Sequence, residues 1–373
     1  MKFFKCFAPA ILASIASGAI ISFNGDSHLS VVLELANHTE IRAIVTNNGP
    51  DSLNLFKKGN FLDAAAVEKA EIYSADAQVP FEGVRLRSVI TGLGPSSFLD
   101  LPPGQSHEVT FDIAEMYALH GKEYDVLSRG VMSYAEGDSF ELAGAVPYES
   151  NRIRISVDQH WARQKRDEFH GKAQKLKKRS VLERCPPAPQ KDTVLRALDA
   201  CAKLSQGAQR AASTGDSKQS AKYFKDPSPE MRKAVAGVYA KVAAECGKLD
   251  GGETRIHCDD GFEYCDGLTL AYTSPTTGLQ VYCPAYYADD FPDLTKECHG
   301  QDRATTTLHE MTHLDAVAGT IDIGYGYRTT ESLRPKQVIA NADTYSLYVN
   351  GECYLKVGIW ARTDTLPGLW SGC

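Results

Sequence analysis

The chain has 373 residues, 43% of them hydrophobic and 23% charged, with a formal net charge of −7. Such a composition belongs to a folded protein with a core, not to a disordered or fibrous one. Its mild acidity removes the electrostatic basis for nucleic acid as a functional partner, and its length accommodates two domains of ordinary size.

Met1, Lys2, Phe3, Phe4 and Lys5 begin a basic stretch, and an apolar run follows to about Ile21. Ala16 and Ala19 offer small-residue cleavage points, so residues 1–19 read as a signal peptide. No later segment is apolar enough to span a bilayer. The expectation is a secreted, extracellular protein with no membrane attachment after signal removal.

Residues from about 30 to 157 alternate apolar and polar side chains in short runs, among them "SVVLELAN", "IRAIVTNNGP", "AEIYSA", "VRLRSVI", "HEVTFDIA" and "RIRISVD", broken by Asn, Gly and Pro. That pattern predicts a β-sandwich of immunoglobulin-like type. The stretch carries no catalytic cluster. It ends in the basic run "QKLKKRS", where Lys178-Arg179 precedes a small polar residue and invites a kexin-like processing protease; Lys165-Arg166 is a weaker candidate upstream. The predicted division is a β-rich propeptide over 20–179 and a second domain over 180–373.

Cysteine usage changes at the same point. None lies between Cys6 and Cys185, and nine follow from there. The segment "KDTVLRALDACAKLSQGAQRAA" repeats apolar positions every three or four residues, predicting an amphipathic helix. A second helix is predicted through "SPEMRKAVAGVYAKVAAEC", with Ser228 as N-cap, Pro229 in the first turn and Gly247 as stop. Gly-rich turns and short strands such as "LTLAYTS" and "LQVYCP" come next. Helical patterns return in "QDRATTTLHEMTHLDAVAG" and "PKQVIANADTYSLYVNGE". The half is α+β.

The third of these helical segments contains His309, Glu310 and His313 in the order HExxH. On a helix, two imidazoles four residues apart share one face, where they hold zinc, and the glutamate is placed to take a proton from water. Leu308, Met311 and Leu314 fall on the opposite face, so the imidazoles are predicted to face a cleft. A third ligand must complete the site. Ala316 and Gly319 occupy the places of the metzincin glycine and histidine. Two carboxylates compete: Glu331, which would make the site gluzincin-like, and Asp322, which Gly319 could bring back toward the imidazoles through a left-handed turn.

HExxH followed by Gly-Thr-x-Asp-x-x-Tyr-Gly resembles the deuterolysin family of fungal zinc metalloendopeptidases, the aspzincins. "YCDGLTLAYT", "CHGQDRATTTLHEMTH" and "NADTYSLY" carry the likeness through most of the C-terminal half. The resemblance implies a zincin-type metalloprotease domain holding one Zn2+, bound by His309, His313 and Asp322, with Glu310 as general base. It also implies that Tyr325 donates to the oxyanion and that Tyr286 matches a tyrosine needed for activity. Asp343 is matched to an acidic residue assigned either as a metal ligand or to the pocket that receives the residue after the scissile bond; with Asp322 completing the triad, the pocket or a position just behind the metal ligands is preferred. Ser346 stands where lysine-preferring relatives carry glutamate, so a preference for basic substrates is expected to be loose. Cys185 with Cys258, Cys265 with Cys283 and Cys298 with Cys373 are the implied disulfides. Cys201 and Cys246 lie on the two opening helices and could join them, and Cys353 competes with Cys373 for Cys298.

The expectation is therefore a monomeric secreted endopeptidase acting on protein or peptide substrates and made as a proprotein. The alternative is a zinc-stabilised effector that binds peptide without cutting it; retention of Glu310 favours the enzyme. With no cysteine between the signal and Arg179, no thiolate can silence the zinc. Inhibition by the pro-region must then come from occluding the cleft, or from a weaker ligand such as a carboxylate or one of His28, His38, His107, His120, His160 and His170.

Overall fold

The computed structural model describes residues 27–175, 182–185, 189–249 and 251–351. The signal segment, Lys178, Arg179, Cys353 and Cys373 lie outside the described residues.

Residues 29–156 are β-rich, as the alternation predicts. In Glu40–Asn47, Ile41, Ala43, Val45 and Asn47 all point inward. The strands do not, however, form a separate two-sheet sandwich. They form a three-stranded sheet of Leu29–Asn37, Glu40–Asn47 and Ser106–Asp112 and two four-stranded sheets. One predicted strand, Arg85–Ser88, leaves them altogether. Alternation identifies strands but says nothing about which edge they pair with.

Arg85–Ser88 joins the sheet of the C-terminal half. There Leu182–Arg184, Arg255–His257 and Leu279–Tyr282 run parallel, Thr269–Ser274 pairs antiparallel with Leu279–Tyr282, and Arg85–Ser88 pairs antiparallel with Thr269–Ser274. One apolar core runs across the junction, from Val45, Phe56 and Val126 to Tyr272, Val281 and Tyr325.

A helix, Gln159–Lys175, follows the β-rich half. Lys165-Arg166 lies within it, and Arg166 is bound to Glu82 through Nε at 2.9 Å and Nη2 at 2.8 Å. A protease needs an extended segment, so this pair is a poor processing site.

The second core is helical. Gln190–Thr214 and Pro229–Cys246 pack on each other and on the motif helix, burying Leu198, Leu204, Val235, Tyr239, Leu308 and Met311. Ser228 caps the second helix by accepting from the Met231 amide at 3.2 Å. The disulfides Cys185–Cys258 and Cys265–Cys283 are present, and Cys201–Cys246 joins the two opening helices. Cys298 is also disulfide-bonded, and both candidates for its partner lie outside the described residues. Among those described, no helix is long and apolar enough to cross a membrane.

Candidate metal centre

The motif helix spans Arg303–His313, opened by Asp302, whose Oδ1 accepts from the Thr305 amide at 2.7 Å. It stops sooner than the periodicity predicts. Just past His313 the chain turns back: the Thr320 amide donates to the Thr312 carbonyl at 3.1 Å, and Gly319 takes a φ of +59°. The left-handed glycine is where the sequence places it, but the helix ends several residues earlier.

That return brings Asp322 onto the histidines. Asp322 Oδ1 lies 3.1 Å from His309 Nε2 and 3.4 Å from His313 Nε2. Zinc bonds of 2.0–2.1 Å in tetrahedral geometry separate ligand atoms by about 3.3 Å. Both Asp322 spacings match that separation. Glu310 joins the two histidines in a cluster whose potential ligand atoms lie within 4.8 Å of one another. Its Oε2 accepts from Thr273 Oγ1 at 2.6 Å, whereas buried Oε1 has no hydrogen-bond partner. The donor set, two imidazoles and one carboxylate, fits a zinc site.

The surroundings orient these groups. His313 Nδ1 lies 2.8 Å from the Thr320 carbonyl, which fixes the proton there and leaves the Nε2 lone pair for metal. Behind His309, Asp343 Oδ1 is 3.6 Å from Nδ1, and Asp343 Oδ2 accepts from the Gly326 amide at 2.6 Å. Asp343 is therefore on the far side of His309 from the converging nitrogens, not among them. Asn341 interrupts the last predicted helix, dividing it into Pro335–Ala340 and Ala342–Asn350. Its Oδ1 accepts from the Ile323 and Gly324 amides at 3.0 and 3.2 Å, clamping the loop that carries Asp322.

Burial, reinforced by the charge of Arg87, pushes His309 down to about 3, so its imidazole is neutral. Burial pushes the Glu310 carboxyl up to about 8, against the pull of His313. Burial also opposes ionisation of Asp322, but the adjacent His313 and His309 outweigh it and hold that carboxyl well below the usual range. Tyr325 is raised by burial and remains a neutral donor.

The other sequence candidates separate cleanly. Tyr325 is buried, its ring 6.4 Å from that of His309. Tyr286 is buried against the motif helix, its hydroxyl 3.1 Å from Thr307 Oγ1; none of its described contacts is to the histidines. Glu331 has a side chain 54% exposed and pairs with Arg328 at 3.8 Å, away from the imidazoles. Ser346 Oγ donates to the Thr305 carbonyl at 3.2 Å, tying the last helix to the motif helix. Sequence reasoning missed Thr273, Thr320 and Asn341, polar residues with no motif of their own, and above all Arg87. The Arg87 guanidinium pairs with Asp343 and lies 3.1 Å from His309 Nδ1. His309 and His313, predicted to face a cleft, are fully buried.

A buried HExxH group on a helix, able to hold a metal ion, is the mark of a zinc metallopeptidase. The family model described as the deuterolysin metalloprotease (M35) family matches residues 1–358, and the chain belongs to that family. It is 37% identical over 351 residues to a neutral protease 2 homolog of Botryotinia fuckeliana, covering 94% of this chain and 98% of that one. A neutral protease 2 homolog of Coccidioides posadasii is 36% identical over 353 residues, covering 92% and 96%. A solved zinc peptidase from Grifola frondosa is 18% identical with a TM-score of 0.38, covering 44% of this chain and 97% of that one. The chain is accordingly a metalloendopeptidase with zinc as its cofactor.

Proposed function

We propose that this protein is a secreted endopeptidase made as a proprotein, with residues 20–179 as a β-rich pro-region and 180–373 as the catalytic unit, released by cleavage after Lys178-Arg179. His309, His313 and Asp322 hold the zinc. The observation that carries this reading is the convergence of two Nε2 atoms and Asp322 Oδ1 beside a buried, half-satisfied Glu310.

Zinc, when bound there, polarises the peptide carbonyl and acidifies water. Glu310, in its ionised form, takes the proton of the attacking water on Oε1 and passes it to the leaving amine, while Thr273 holds Oε2 in place. The Tyr325 hydroxyl, neutral and fixed in the core, donates to the developing oxyanion, a contribution of about 3 kcal/mol in comparable sites. Asp343 lies 3.6 Å from His309 and offers a buried negative charge to a basic side chain after the scissile bond, which supports a loose preference for basic substrates.

The test is hydrolysis of casein by the purified, processed protein: chelator should abolish it and zinc restore it. Glu310→Gln should keep zinc but lose activity by about a hundredfold or more, the usual contribution of a general base. A Gln variant that still cleaves casein at the parent rate would reject the assigned role.

A further inference from the structure

Thr269–Ser274 has a neighbouring strand of the C-terminal half on one side only. Its other side is a sheet edge, the kind of site to which an extended peptide adds as a strand. Arg85–Ser88 fills that edge antiparallel, with Leu86 opposite Tyr272 and Arg87 opposite Ala271. The segment is buried almost throughout.

Its backbone engages the groups assigned to chemistry. The Tyr325 hydroxyl donates to the Leu86 carbonyl at 2.9 Å. The Leu86 amide donates to Asp322 Oδ2 at 2.9 Å. The next side chain, Arg87, is 2% exposed and pairs with Asp343, itself fully buried. Burying a guanidinium is costly unless a carboxylate compensates it, and an aliphatic side chain would fill the same space more cheaply. An arginine held by a carboxylate, directly after a carbonyl held by the oxyanion tyrosine, has the arrangement of a bound substrate. Flanking bonds fix the register: Arg85 Nη1 donates to the Thr320 carbonyl at 2.9 Å, Gln301 Nε2 to the Ser88 carbonyl at 2.7 Å, and the Ile90 amide to Gln301 Oε1 at 3.0 Å.

We propose that Arg85–Ser88 occupies the cleft as an extended peptide substrate does, with the Leu86–Arg87 bond at the scissile position, and that it keeps the intact chain inactive. This rests on the peptidase reading above. Occlusion is by a strand and not by a histidine ligand: among the described residues the group that could hold a metal contains no histidine but His309 and His313, while His38 stacks on Trp161 and His170 lies 3.0 Å from Glu82.

The experiment uses the full chain kept intact by Lys178→Ala and Arg179→Ala, loaded with zinc, alone and with Arg87→Lys or Arg87→Glu. Reversing one charge of a buried pair is expected to raise casein hydrolysis, and the rate at which excess dipicolinate strips zinc, by about tenfold or more, whereas lysine should stay within about threefold of the parent. Latency and zinc removal that do not change in Arg87→Glu would overturn the proposal. Should that variant lose its cooperative melt, a peptide pair carries the test on enzyme cleaved after Arg179. The peptide of residues 83–90, GVRLRSVI, should compete with casein about tenfold better than the same peptide with Arg87→Glu, and equal competition overturns the proposal. A parent chain that takes up no zinc overturns the peptidase reading itself, and this proposal with it.

Discussion

Asp322 and Glu331 compete for the third ligand position when only spacing is known, and burial separates them. Asp322 converges with both imidazoles, and Glu331 faces solvent. Asp322→Ala should therefore lose its zinc along with its activity, and Glu331→Ala should retain both; metal analysis of the two purified variants checks this, and the reverse result would reassign the ligand. Asp343 makes a different prediction. Because one of its oxygens accepts from the Gly326 amide and the other pairs with the Arg87 guanidinium, Asp343→Asn should lower cleavage before lysine and arginine more than cleavage before apolar residues, by roughly the 2–5 kcal/mol expected when one side of a buried charge pair is lost. A peptide-library profile that falls evenly, with zinc lost, would place Asp343 among the ligands. His309, Glu310, His313 and Asp322 were legible in the sequence because helical spacing and a nearby glycine carry their geometry. Arg87 was not, since it reaches His309 from 222 residues away and no local pattern encodes that contact.

Between residues and fold, the elements show where local pattern yields to tertiary competition. The motif helix ends at His313 because Thr320 bonds back to Thr312 and His313, which a wheel of apolar positions cannot reveal. The last helix is broken at Asn341 because that side chain ties down the Asp322 loop. Helix pairing was more legible: Cys201 and Cys246 lie on the two opening helices, and a disulfide joins them. Closing a loop across a sequence separation of 45 removes denatured-state entropy equivalent to about 4 kcal/mol. Replacing both cysteines by serine should lower the unfolding free energy by about 3–4 kcal/mol in urea melts while zinc content at 25 °C stays unchanged. A change below about 1 kcal/mol would mean that helix packing alone fixes the pair.

For the whole molecule, the sheet shared between the halves is the decisive feature. Alternation predicted most strands of the β-rich half, yet not that Arg85–Ser88 would pair with Thr269–Ser274. An account in which the N-terminal half only assists folding leaves that strand's contacts with Tyr325, Asp322 and Asp343 without a role. Because occlusion involves no thiolate, mercurials should fail to activate the intact chain. The most direct measurement is zinc content together with casein hydrolysis for the intact chain and for the chain cleaved after Arg179. The account predicts one zinc per chain in both and substantial hydrolysis only after cleavage; full activity of the intact chain, or absence of zinc from both, would contradict it.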